Sequence, residues 1–186
     1  MYTPVAFFAF NRPYHTNESL KALSQNKIAI NTEIFAFIDG AKRNHEQHLV
    51  DNVEKIIKSY SNNFQKITIF RSSENLSGNT MKRIHLSNLF SKFERIIVLE
   101  DDNLVSKYFL DYMNKALTRY KDIDRVWQIN GYNYPNASTL YHEAFFTRSL
   151  QSWGFGLWKD RWFKFIDHKL ASDPNYLIAK FDKAQI

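Results

Sequence analysis

The chain has 186 residues, 44% hydrophobic and 16% aromatic, with 25 Lys and Arg against 19 Asp and Glu, for a formal charge of +6. That length suits one sizeable core, and no stretch approaches the roughly 18 uninterrupted apolar residues of a membrane-spanning helix. The absence of cysteine excludes disulfides and thiolate metal sites and points to a reducing cytoplasm. The basic residues are spread out, with no basic run and no nucleic-acid module. The positive charge is either an ordinary soluble basic surface or an attraction to a phosphate-bearing ligand or, by peripheral contact, to anionic lipid at the inner face of the membrane; nothing in the sequence supports nucleic acid.

The N-terminal MYTPVAFFAFNRP has neither a basic leader nor a small-residue cleavage site, and reads as a first strand over 5–10. VAFFAF is a continuous apolar run suited to a strand buried on both faces. Residues 16–25 follow as a helix with Leu20 and Leu23 on one side and Thr16 or Asn17 as N-cap. EIFAFI (33–38) is a second strand. Val50, Val53, Ile57 and Tyr60 step by three and four along a helix over 46–60. KITIF (66–70) is a third strand. A less regular helical face over 79–93 carries Met81, Ile84, Leu89 and Phe93. RIIVL (95–99) is a fourth strand. Phe109, Leu110, Met113, Leu117 and Tyr120 mark a helix over 106–120, and RVWQI (125–129) a fifth strand.

Strand and helix alternate four times, which predicts an α/β domain with a mostly parallel sheet and helices on both faces. From 131 onward the pattern changes to a turn-rich NGYNYP, a Trp- and Gly-dense SWGFGLWKDRW and a helical or irregular tail to Ile186. We read 1–186 as one domain in two halves, 1–130 and 131–186.

Right-handed crossovers put the ends of parallel strands on one edge of the sheet, where ligands bind. Four strand ends carry chemistry. NRP (11–13) offers Arg12, either solvated or set beside a base or phosphate, with Pro13 suited to a helix start. IDG offers Asp39 in a turn before Gly40, either as turn chemistry or as an acceptor for a base N–H. NLSGN offers Gly78, where the backbone could approach a ligand closely, followed by Lys82 and Arg83 on a helix face that is more naturally solvated. VLEDD ends the fourth strand in Glu100, Asp101 and Asp102.

Three neighbouring carboxylates repel, so the acid triplet needs an account. Alternation along an extended chain puts Glu100 and Asp102 on one side and Asp101 on the other. The triplet is either a solvated strand end or a binding site for a hard divalent cation, Mn²⁺ or Mg²⁺, that also meets substrate phosphates. In SWGFGLWKDRW, Gly154 and Gly156 argue against a core helix, and Trp153 is suited to a sugar platform or to core packing. His85, His142 and His168 show no metal-ligand spacing and read as structural or exposed.

FNRP, D-G, ENLSGN, VLEDD, FLDYMNKAL, INGYN and SWGFGLWKDRW, in this order, resemble the GT-A type bacterial glycosyltransferases, family-2-like. They are more distantly similar to the N-acetylglucosaminyltransferase I group, whose nucleotide-sugar site has an E-D-D form of the D-x-D motif. The resemblance covers roughly 4–165 of this chain, and VLEDD with its following helix is its specific part. It implies a Rossmann-like GT-A fold, with a nucleotide-sugar-binding half over 1–130 and a partial acceptor-side half over 131–186, the family pattern continuing past Ile186. It implies a metal-dependent transfer of sugar from a nucleotide-sugar donor, a UDP-sugar above others, to a glycan or lipid-linked acceptor. Inversion and a role in surface polysaccharide synthesis go with it.

By that resemblance Asp102 is the ligand to Mn²⁺ (or Mg²⁺), Asp101 sits near the ribose or sugar, and Glu100 supports the site. Arg12 and Asp39 flank the base, Gly78 lines the nucleotide, and Trp153, Gly154 and Gly156 border the sugar and acceptor pocket. The catalytic base is the weak point: Asp160 and Asp167 are candidates by position only. Two other readings compete. A nucleotidyltransferase can share this sheet and an acid pair, but NRPYHTN lacks the glycine-rich loop such enzymes carry after strand one. The other is a non-catalytic nucleotide-sugar-binding domain. A phosphatase of the D-x-D type is disfavoured by Asn11, which stands where its nucleophilic Asp would be.

Overall fold

In the computed structural model, which describes residues 2–132 and 145–167, strands β1 (Val5–Ala9), β2 (Glu33–Ile38), β3 (Lys66–Arg71) and β4 (Arg95–Glu100) alternate with helices α1 (Pro13–Ser24), α2 (Gln47–Ser59), α3 (Gly78–Phe90) and α4 (Phe109–Arg119). The strands β5 (Ile129–Asn130) and β6 (Phe155–Trp158) and the helix α5 (Lys159–Asp167) follow. The strands form one sheet in the order β3-β2-β1-β4-β6-β5. β1 pairs in parallel with β2 and β4, and β2 with β3. β6 is antiparallel to both β4 and β5. His142, His168 and the tail predicted beyond it lie outside the described residues.

β1 is buried along its whole length, as an apolar run in the middle of a parallel sheet requires. Its alternate side chains feed two cores. Val5, Phe7 and Ala9 pack with Leu20, Leu23, Val50, Val53, Ile57, Leu110, Met113 and Leu117 from α1, α2 and α4. Ala6 and Phe8 pack with Met81, Leu86, Leu89 and Phe90 of α3 and Trp162 of α5 on the other face. The sheet is thus wound on both sides. Its strand order reverses at β1, with β2 on one flank and β4 on the other.

Four local expectations are corrected. α1 starts at Pro13, whose missing N–H costs nothing in a first turn; Arg12 is the N-cap, and Thr16 is a buried helical residue whose hydroxyl donates to the Arg12 carbonyl at 2.9 Å. The inward face of α3 runs through Met81, Leu86, Leu89 and Phe90, while Ile84 is exposed. The fifth strand shrinks from 125–129 to Ile129–Asn130; only Val126 and Ile129 turn inward there, with Arg125 and Trp127 exposed. The fourth correction is β6, which the Trp- and Gly-rich segment conceals. It inserts between β4 and β5, and glycine at 156 is tolerated because a Cβ there would lie 2.9 Å from Leu117 Cδ1. Gly156 therefore serves strand packing, and it is not among the residues that line the cavity beside Asp102.

Candidate active site

The topological switch between β1 and β4 is where a doubly wound sheet opens a crevice. The structure brings Arg12 and the acid triplet together there. The Arg12 guanidinium donates from Nη1 to Asp102 Oδ2 at 2.9 Å, and from Nη2 to Asp101 Oδ1. The Phe10 N–H donates to Asp101 Oδ2 at 3.3 Å. Lys82 Nζ donates to Glu100 Oε1 at 2.7 Å. All three acids thus face a cation, and the like charges are tolerated because two basic side chains come from separate elements to meet them.

The division of labour differs from simple alternation. Glu100 ends the strand and turns toward α3, whereas Asp101 and Asp102 both face Arg12. The reason is that 101 and 102 form a turn, where side-chain direction no longer alternates. Asn103 holds that turn: its Oδ1 accepts from the Glu100 N–H at 3.0 Å, and its Nδ2 donates to Asp102 Oδ1 at 3.1 Å. An Asn after a pair of acids is turn chemistry that the sequence itself displays. Ser19 of α1 donates to the Asn103 carbonyl and fastens the turn from below.

Burial pushes the Asp101 carboxyl up from its ordinary value, and the bonds from Arg12 and Phe10 offset only part of that. At Arg12 burial acts first, pulling the guanidinium down, but its pairing with Asp101 and then Asp102 outweighs this and leaves it raised. Asp102, by contrast, stands exposed at the mouth of a cavity.

That cavity is about 530 Å³ in volume. Asp102 and Asn103 line it together with Tyr108, just before α4, Tyr112 within α4, and Tyr132 and Trp153. Tyr132 and Trp153 meet edge to face, 4.8 Å between ring centres. Gly131 and Gly154 complete the lining. The Gly131 N–H donates to the Gly154 carbonyl at 2.7 Å, and a Cβ at Gly131 would lie 2.4 Å from the Phe109 ring. Gly154 has φ +65, a conformation glycine adopts readily. Trp153 and Gly154 thus share a cavity with Asp102, while Tyr108, Tyr112 and Tyr132 were not foreseen; two tyrosines four apart at a helix start are the signal that could have flagged the first pair.

Asp39 is buried at the end of β2, with its oxygens occupied. Oδ1 accepts from the N–H groups of Gly40 (3.0 Å) and Leu76 (2.8 Å), and Oδ2 from Asn75 Nδ2 at 3.1 Å. It organises the loop before α3 through these bonds. Gly40 packs closely within the protein, since a Cβ there would lie 2.5 Å from the Glu74 backbone, whereas one at Gly78 would meet nothing within 4 Å. The residue before Gly78, Ser77, has φ 68. His85 stacks on Phe37 at 4.3 Å, a structural role as expected.

Asp160 is displaced from the site. Trp158 pairs with Arg95, the first residue of β4, so the residues after β6 emerge at the opposite edge of the sheet from Glu100. There Asp160 accepts two bonds from the buried Arg161, at 2.8 and 3.0 Å. Arg161 also donates to the Lys121 carbonyl at 2.7 Å and lies 4.7 Å over the Trp158 ring. This is a structural clamp, and Asp160 is not positioned to be the base. Asp167 ends α5 beyond it.

Among the described residues no three His, Asp or Glu side chains cluster as a ready-made cation cage. Asp101 and Asp102 nonetheless fit Mg²⁺ or Mn²⁺ by their chemistry: such ions take one or two protein carboxylates and complete their shell with water and substrate phosphate.

No family model matches the chain, and no curated relative is found. Solved structures match in fold. The chain is similar to the mannosyltransferase PcManGT from Pyrobaculum calidifontis, solved with GDP-Man and Mn²⁺: TM-score 0.57, 12% identity, 86% of this chain and 46% of that one. It is similar to S. aureus TarS 1–349 in complex with UDP: TM-score 0.51, 16% identity, 73% of this chain and 38% of that one. The 4-diphosphocytidyl-2C-methyl-D-erythritol synthase from Anaerococcus prevotii gives TM-score 0.51 at 16% identity, over 97% of this chain and 83% of that one. The fold is the Rossmann-like GT-A fold, a mostly parallel six-strand sheet flanked by helices, that these structures share. The chain spans less than half the length of the two transferase chains. Among the described residues no helix is long and apolar enough to cross a membrane.

Proposed function

We propose that the chain is a glycosyltransferase domain that moves a sugar from a nucleotide-sugar donor to a glycan or lipid-linked acceptor, with inversion, in surface polysaccharide synthesis at the inner face of the membrane. One observation carries this: Asp102, the exposed member of the acid pair at the β1–β4 switch, also lines a cavity that has Tyr108, Tyr112, Tyr132 and Trp153 in its wall. A phosphate-binding edge and a sugar-sized aromatic slot share one carboxylate, Asp102. The bound UDP of TarS and the GDP-Man and Mn²⁺ of PcManGT, on similar folds, support the donor class.

In this reading residues 1–130 hold the donor and the described part of 131–186 helps form the acceptor side. Asp102 is the main protein ligand to Mn²⁺ or Mg²⁺, with Asp101 behind it and Glu100 braced by Lys82. A divalent ion there supplies neutralisation of the leaving nucleoside diphosphate without proton transfer. Asp39 and the loop up to Gly78 shape the nucleotide side. Trp153, with Tyr132, offers flat apolar faces to a sugar ring. Asp160 has no part in the chemistry.

The test is a thermal-shift screen of nucleoside diphosphates and nucleotide sugars with Mn²⁺, followed by transfer assays with the donors that bind. The expected result is stabilisation by UDP and Mn²⁺ together, because a ligand that binds only the folded state raises its stability by mass action. No shift with any nucleoside diphosphate plus metal sinks the reading. A nucleotidyltransferase is the second reading, favoured by the near-complete overlap with the synthase fold. It predicts pyrophosphate release from a nucleoside triphosphate and a sugar phosphate, with no sugar transfer.

A further inference from the structure

The position of Arg12 bears on how the acid pair takes up its ligands. Its guanidinium spans two carboxylates on neighbouring residues, one oxygen of each. Asp101 is 2% exposed, and a buried carboxylate without a counter-charge is strongly unfavourable. Arg12 therefore acts as the resident cation of the pair. It is not locked in: its side chain is 43% exposed and extends from the N-cap of α1 at the crevice. No other basic side chain is paired with Asp101 or Asp102 among the described residues; Lys82 is paired with Glu100. A planar guanidinium is suited equally to a carboxylate pair and to a diphosphate.

We propose that Arg12 is a positioning residue that exchanges partners, leaving Asp101 and Asp102 for the donor's diphosphate when a divalent cation takes the carboxylates. This rests on the donor-site reading above. While Arg12 stays on the acids, it competes with metal for the same oxygens, so metal alone binds weakly. When a diphosphate is present, Arg12 has an alternative anion, the carboxylates are released, and the competition ends. Arg12 is thus a source of positive coupling between metal and nucleotide, and by linkage the coupling is reciprocal.

The experiment is calorimetric titration of the whole chain with Mn²⁺ alone, UDP alone, and each in the presence of the other, for the wild type, Arg12→Gln and Arg12→Lys. For Arg12→Gln the expected result is Mn²⁺-alone affinity tighter by about tenfold, UDP affinity in saturating Mn²⁺ weaker by about tenfold, and a reduced coupling factor. Arg12→Lys keeps a point charge that cannot span both carboxylates, and is expected to fall between the two; it also serves if the Gln variant does not fold. Unchanged or weaker Mn²⁺-alone affinity in the folded variants overturns the proposal and leaves Arg12 a simple nucleotide contact. If the wild type itself binds UDP and Mn²⁺ neither singly nor together, the donor-site reading fails and this inference falls with it. Wild-type binding with no gain in the variants removes the exchange alone.

Discussion

The parallel part of the sheet and its antiparallel margin send the residues after a strand in opposite directions. β1, β2 and β4 run the same way and deliver Arg12, Asp39 and the acid triplet to one edge. β6 runs against β4 and carries Asp160 to the other, roughly 17 Å away at about 3.3 Å per residue over the five steps from Arg95 to Glu100. Asp101 and Asp102 thus meet Arg12 at the first edge, and Asp160 meets Arg161 at the second. What separates them is strand direction, which no short motif encodes. The loop before β6, by contrast, lies at the same edge as Asp102 and lends Trp153 and Gly154 to the cavity.

The largest expected effect tests the active edge. A ligand at about 100 times its Kd adds about 2.7 kcal/mol of stability. Asp102→Ala should remove the Mn²⁺-dependent part of that stabilisation in a thermal-shift assay, with little change in the ligand-free protein because the side chain is exposed.

Two glycine substitutions set the regions against each other. Gly40→Ala forces a Cβ within 2.5 Å of the Glu74 backbone, which cannot move away as a side chain can. A loss of about 1–3 kcal/mol is expected, together with weaker nucleotide binding, since the Asn75 and Leu76 bonds to Asp39 shift with that loop. Gly156→Ala meets the flexible end of Leu117 at 2.9 Å. Its expected cost is about 1 kcal/mol, with the ligand-induced shift intact. Denaturant melts with and without UDP and Mn²⁺ separate the two outcomes.

Asp160→Asn should cost about 1 kcal/mol or less, because the carboxylate is exposed, and should leave any transferase activity unchanged. Loss of turnover with the fold intact would return Asp160 to the reaction and undo the contrast between the two edges.

The smallest effect is in pH dependence. Burial holds the His85 imidazole below its ordinary value, with the Asp39 charge opposing. The unfolded chain therefore binds this proton more readily than the folded one. The stability His85 contributes is present above the unfolded value of about 6.5 and is lost as pH falls through it toward the lower folded value. Melts between about pH 7.5 and 5.5 should show a shallower decline in His85→Phe than in the wild type.

By itself the sequence determined the four strand–helix alternations, because short continuous apolar runs and a 3.6-residue apolar period are local properties. Val50, Val53 and Ile57 face inward where their spacing put them, and VAFFA (5–9) is buried on both faces. It also determined that acids, Arg12 and Asp39 would follow strands, hence their common edge. It did not disclose β6, where glycine lowers strand propensity and burial against Leu117 restores it, nor the direction of that strand. Only the tertiary structure decided what each acid meets. Glu100 lies against Lys82, Asp101 and Asp102 lie against Arg12, and Asp160 lies against Arg161. The first three pairs join residues 18, 89 and 90 positions apart. Pairing over such separations is set by the winding of the sheet, which brings the ends of β1 and β4 side by side.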